Sequence, residues 1–239
     1  MKRSIGLGLA LGAIVALAPA AHASLVLVSP VPLTGTGLGT EPTVLTIQNN
    51  PTETGCVSFS NIGATFAGAA CTGSSADVKT GASQTSTQPL SAIGSGTIDA
   101  SNFSIIFNAD QPAAGPITLT AMTVSFYSPT GTLLYKSSGL SCVAAGVPGC
   151  AFPDTVHGVG GAGFQVKLDS AQATAATLAG AFSSQNNIVG LSAATSGASG
   201  GPETFFLARV VPVPEPTTML LIGAGLIGLA SFKRKIRSS

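Results

Sequence analysis

Charge is the scarcest commodity in this sequence. Asp, Glu, Lys and Arg make up 8% of the 239 residues, against roughly 25% in an average soluble protein. Tryptophan is absent, and tyrosine and histidine occur twice each. Low charge here accompanies 45% hydrophobic residues and a positive mean hydropathy. That excludes charge-driven disorder, which pairs low hydrophobicity with high net charge. Six of the ten basic residues stand at the two ends: Lys2, Arg3, Lys233, Arg234, Lys235 and Arg237. Between Ser24 and Pro216 four bases face nine acids, a net of −5. Such a body offers nothing to a phosphate backbone, so no nucleic acid is expected as a partner.

Chemical motifs are also missing. There is no C-x-x-C, H-E-x-x-H, P-loop or EF-hand loop, so neither a metal nor a cofactor is expected. Of two G-x-G-x-x-G matches, at Gly158/Gly160/Gly163 and Gly223/Gly225/Gly228, neither has both the βαβ setting and the later acidic residue that a dinucleotide site needs. The remaining acids are scattered, mostly at predicted strand ends, where solvation accounts for them.

What is present is concentrated at the ends. Residues 1–23 form a secretory signal peptide: Lys2 and Arg3, an uncharged apolar stretch from Ile5 to Leu17, then the small-x-small triplet Ala21-His22-Ala23. Cleavage by signal peptidase after Ala23 makes Ser24 the first mature residue, the export machinery having carried the chain across the inner membrane. At the other end Val213-Pro214-Glu215-Pro216 precedes an uncharged run, Thr217 to Phe232, and the cluster Lys233, Arg234, Lys235 and Arg237. A helix over 217–232 would measure about 24 Å at ~1.5 Å per residue, short of a ~30 Å hydrocarbon core, and snorkelling Lys and Arg can close the gap. The basic cluster is a stop-transfer signal that stays cytoplasmic, so the body faces outward.

This tail resembles the PEP-CTERM sorting signal of Gram-negative bacteria. The resemblance implies that Pro214, Glu215 and Pro216 are the recognition motif for an exosortase-like processing enzyme. It also implies that the chain is membrane-anchored through its C-terminal helix and then surface-located or extracellular. The stretches Lys79–Thr85 and Gly200–Phe206 look like parts of other PEP-CTERM ectodomains, a likeness that carries no activity with it.

Residues 24–212 read as one all-β unit, a single β-sandwich ectodomain with the jelly roll as one form, followed by the sorting and anchor segment 213–237. Strands are predicted at Leu25–Val28, Thr43–Gln48, Val57–Ser60, Phe103–Asn108, Ile117–Tyr127, Thr132–Lys136, Phe164–Leu168, Ile188–Leu191 and Phe205–Val211. Ser128-Pro129-Thr130-Gly131 is a type I turn joining two of them. One short helix should follow Asp169, capped by it, with Gln172 as capping-box partner and Ala171, Ala175, Leu178, Ala179 and Phe182 on its buried face. Thr72–Thr97 and Ser192–Glu203, rich in Gly, Ala, Ser and Thr, read as surface loop.

Cys56, Cys71, Cys142 and Cys150 form an even set in an exported body, which reads as disulfides with three connectivities open. The local pairs, Cys56–Cys71 and Cys142–Cys150, are the choice, each closing a short loop. For function, the expectation is a non-catalytic surface protein, a component of the envelope or of an exopolysaccharide matrix. The alternative is a secreted hydrolase using His157, the one histidine left after export, with Asp154 three residues before it.

Overall fold

A computed structural model describes residues 24–28, 33–34, 41–59, 77–79, 84–110, 116–141, 150–152, 162–199 and 201–210. The predicted signal peptide, the whole tail from 211 onward, Cys71, Cys142, Asp154 and His157 lie outside the described residues. The strands are β1 (Leu25–Leu27), β2 (Leu33–Thr34), β3 (Thr43–Ile47), β4 (Thr52–Val57), β5 (Gln88–Pro89), β6 (Phe103–Asn108), β7 (Ile117–Tyr127), β8 (Leu133–Lys136), β9 (Leu140–Ser141), β10 (Cys150–Phe152), β11 (Ala162–Leu168), β12 (Ile188–Ser196) and β13 (Glu203–Arg209). A single α-helix among the described residues, α1, spans Ser170–Leu178. The body is all-β with one helix, as its sequence leads one to expect.

The strands form two sheets. The first runs β3-β13-β6-β11-β1-β9, with β2 also on β11. It is antiparallel except where β1 meets β9. The last strand is thus inserted between the third and the sixth. In the second sheet β7 and β12 make a long central pair, flanked by β10 and β8 on the side of β7 and by β4 and β5 on the side of β12. Alternation explains both layers: Phe103, Ile105 and Phe107 of β6 and Val124 and Phe126 of β7 all point into one hydrophobic cluster. Rings from the two sheets meet inside it, Phe103 with Phe126 at 5.1 Å and Phe107 with Phe152 at 5.3 Å between centroids. The other face of the first sheet carries a small second cluster of Ile106, Phe206 and Ala208.

Along β7 the alternation slips by one at Thr120 and Ala121, both exposed. There the register against β12 shifts between Ala194 and Thr195, a bulge that leaves Thr120 without an opposite number. The hairpin turn forms as expected: the Gly131 amide donates to the Ser128 carbonyl at 2.9 Å, with Gly131 at φ +92°.

Four expectations need correction. The strand placed at Val57–Ser60 is instead Thr52–Val57, because its pairing with β12 begins at Thr52. Ser192–Glu203 is not loop throughout: β12 continues to Ser196, with Ala193 and Thr195 buried. The described part of Thr72–Thr97 is packed structure. Its Leu90 and Ile93 are fully buried, and its backbone runs along the free edge of β3, Lys79 N–H donating to Thr46 O (2.9 Å), Ser86 N–H to Val44 O (3.3 Å), and the Thr85 hydroxyl accepting from Thr46 N–H (2.9 Å). Finally, α1 is turned the other way round. Gln172 and Ala176 are its buried residues, while Leu178 is 84% exposed. A polar side chain holds the inward position because it has partners there.

Candidate functional site

Ser24, the expected mature terminus, sits against the start of α1. Its backbone N–H donates to Asp169 Oδ2 at 2.5 Å, and Asp169 N–H donates back to the Ser24 carbonyl at 3.2 Å. The next amide, Leu25 N–H, donates to Gly139 O at 3.2 Å. Asp169 Oδ1 meanwhile accepts from Gln172 N–H at 2.8 Å, so Asp169 is the helix N-cap that its position in the sequence predicts. The reciprocal half of the capping box is absent. Gln172 Oε1 instead accepts from the Tyr135 hydroxyl (3.0 Å) and from Ser138 N–H (2.8 Å), and its Nε2 is buried with no hydrogen-bond partner. Burial first, and then the charge of Asp169, push the Tyr135 hydroxyl above its ordinary pKa of 10.0. Tyr135 also lies against Phe126, ring centroids 6.4 Å apart, so this half-buried tyrosine packs against the core.

The way out to the tail lies at the same end of the first sheet. Leu25 pairs with Leu168, the register of β11 on β6 carries Leu168 to the level of Phe103, and Phe103 pairs with Arg209. The two exits are therefore three strands apart, roughly 14 Å at ~4.8 Å per strand. Beyond β13, Val210 N–H donates to Asn102 O at 2.8 Å and Arg209 Nη1 to Ser95 O at 2.7 Å, the last ties before the tail. Beside them Asp99 accepts from Ser101 Oγ (2.6 Å) and from the Ser101 (2.8 Å) and Asn102 (3.2 Å) amides. Those bonds, the Ser101 hydroxyl foremost, hold its carboxyl below the usual range, with help from the Arg209 charge.

The acids are not merely solvated. Glu53 is fully buried, Oε1 accepting from Asn49 N–H (2.9 Å) and Oε2 from the Thr195 hydroxyl (3.1 Å), and Glu203 is fully buried as well. Asp77 accepts from Asn49 Nδ2 (2.8 Å) and from Thr54 N–H (2.8 Å). These carboxylates tie loops to strands. Apart from Asn49, four residues before Glu53, their partners stand 23 to 142 residues away, so no local sequence pattern marks them. Among the described residues no three His, Cys, Asp or Glu side chains gather as a metal-holding group, and no helix is long and apolar enough to cross a membrane.

Of the cysteines, Cys56 and Cys150 are described, and neither is a free thiol; each is disulfide-bonded. They are not bonded to each other. Cys56 is on β4 and Cys150 on β10, the opposite edges of the second sheet, three strands and roughly 14 Å apart at ~4.8 Å per strand. A disulfide needs Cα atoms within about 7 Å. One of the three connectivities is thereby removed.

The geometry defines a β-rich body with a buried N-terminal junction and a C-terminal exit side by side. The segment that leaves there has a known character: a family model for the PEP-CTERM protein-sorting motif matches residues 212–235. The chain carries this sorting motif directly after its last described strand. The motif implies export, anchoring at the cell envelope and sorting through the tail, and it is associated with exosortase processing. The match covers no described residue, so it assigns nothing to the body. No curated protein and no solved structure matches the chain.

Proposed function

We propose that the protein is a non-catalytic component of the envelope or extracellular polymer matrix. In this reading a β-sandwich ectodomain over 24–212 is exported under a signal peptide cleaved after Ala23. It is then held by a membrane helix over 217–232 and the stop-transfer cluster Lys233, Arg234, Lys235 and Arg237. Pro214, Glu215 and Pro216 are the part an exosortase-like enzyme reads, in a Gram-negative inner membrane. Cys56–Cys71 and Cys142–Cys150 are the disulfides.

One observation carries the reading: the sorting motif begins at residue 212, just past the last described strand, which ends at Arg209. Folding and sorting thus occupy separate stretches of chain. The shared end of the first sheet supports it too, since both membrane-directed segments then leave the body on one side. The test is membrane fractionation with tail mass in the native host. Glu215→Ala should insert normally and remain unprocessed; replacing Lys233, Arg234, Lys235 and Arg237 by Ser should weaken retention. Normal processing of Glu215→Ala would remove Glu215 from the recognition motif. A broad esterase, peptidase and glycosidase panel addresses catalysis: activity lost on His157→Ala would replace this reading with the hydrolase.

A further inference from the structure

We propose that the body contains a binding site for its own mature N-terminus, in which Asp169 receives the α-ammonium group of Ser24. The proposal rests on cleavage between Ala23 and Ser24. In the uncut chain the Ser24 nitrogen is an amide with a single N–H, already 2.5 Å from Asp169 Oδ2. Hydrolysis of the Ala23–Ser24 bond consumes one water. The carboxylate departs with Ala23, and the freed amine takes up a proton at neutral pH, α-amino groups titrating at about 7.7–8.0. The same nitrogen then carries a full positive charge in contact with a carboxylate oxygen.

Nothing has to move for this to happen. The Ser24 carbonyl is held by Asp169 N–H, Leu25 N–H by Gly139 O, and the Leu25 side chain is fully buried on β1, paired with Leu168. The position of the nitrogen is therefore fixed from three sides by contacts that do not depend on its charge. Asp169, for its part, is a carboxylate supplied only with amide donors, Ser24 N–H on one oxygen and Gln172 N–H on the other. No cationic side chain pairs with it among the described residues, and the neighbouring titratable group is the neutral Tyr135 hydroxyl. An ammonium ion supplies the missing countercharge, and a charge-assisted bond is stronger than the amide bond it replaces. Processing would then add stability to the body, and the unprocessed precursor would be the looser of the two forms.

The experiment uses the exported full-length chain, purified in detergent, in a two-by-two comparison. One change inserts a single Gly between Ala23 and Ser24, which moves the ammonium one residue away and restores a neutral amide at Ser24. The other is Asp169→Asn, which removes the charge and keeps a good N-cap. Insertion should lower the melting temperature by about 3–6 °C when Asp169 is present, given roughly 2–4 °C per kcal/mol for a domain of this size, and leave it nearly unchanged in the Asp169→Asn background. Equal shifts in both backgrounds, or none in either, would overturn the ammonium contact. A second readout needs no Asp169 variant: the terminal amine of the mature chain should react with acetic anhydride several-fold more slowly than that of the inserted chain, and equal rates count against the site. Intact mass reads the cleavage separately. A chain beginning elsewhere than Ser24 overturns the cleavage reading, whereas a chain beginning at Ser24 without the thermal coupling overturns the contact alone.

Discussion

A ladder of C-terminal truncations should locate the boundary between body and label to within a few residues. Cutting after Val211 removes the sorting motif and leaves β13 whole, together with the Val210–Asn102 hydrogen bond that closes it (2.8 Å). The melting temperature should then stay within about 2 °C, less than the shift expected for 1 kcal/mol in a domain of this size. Cutting after Pro202 removes β13, which lies between β3 and β6. Phe205 and Leu207 on it are fully buried and Phe206 is 4% exposed. At about 1.5–3 kcal/mol for each large apolar side chain, the three account for roughly 5–9 kcal/mol. A whole domain has only about 5–15 kcal/mol to lose, so this second truncation should not fold. The assay is export yield followed by thermal unfolding of the released, detergent-free protein. A Val211 truncation that aggregates or melts more than about 5 °C early would show that the tail belongs to the fold, and would refute the separation of folding from sorting.

Gly190 on β12 leaves no room for a methyl group: a Cβ there would stand 2.6 Å from the Val57 carbonyl oxygen and 3.2 Å from the Tyr127 ring. Gly190→Ala should therefore cost about 1–3 kcal/mol, seen as a lower urea midpoint at constant slope. Because the Tyr135 hydroxyl is raised above its ordinary 10.0, the folded state keeps that proton to higher pH than the unfolded chain. Its contribution is whole below the unfolded value and declines as pH rises through the folded one; Tyr135→Phe should flatten that alkaline decline in unfolding curves. Mass spectrometry of unreduced peptides should find Cys56 linked to Cys71 and Cys142 to Cys150. A Cys56–Cys150 peptide would contradict the sheet order.

The strands legible in the sequence were those whose pattern is set by burial on one face. Phe103–Asn108 and Ile117–Tyr127 were placed residue for residue, because apolar and polar positions alternate along them or run continuously at the core. The short strands β2, β5, β9 and β10, of two or three residues, have no length in which a period can show. Composition misled where hydrogen bonding decides: the Thr and Ser of residues 84–88 read as loop, yet they satisfy the edge of β3. On α1 apolar spacing chose the wrong face, since Gln172 is held inward by Tyr135 and Ser138. At the junction, the helix cap at Asp169 was legible alone, and Ser24 was marked only as an expected cleavage point. Their contact was not legible, because 145 residues separate them and no local rule spans that distance.

The covered edge of β3 bears on how copies of such a body avoid pairing with one another. An exposed sheet edge is a template for another chain, and proteins commonly guard theirs with lysine or with inward-pointing charge. This body has too few charges for that. Its guard is made of the chain itself, Thr85, Ser86 and the Gln88 amide, which donates to Thr43 O at 2.8 Å, filling the backbone positions a neighbouring molecule would need. Opposite, the outer edge of β12 is taken by β4 and then by a two-residue strand ending in Pro89, which has no N–H to offer. The edge of β3 is thereby closed to a strand from a second copy.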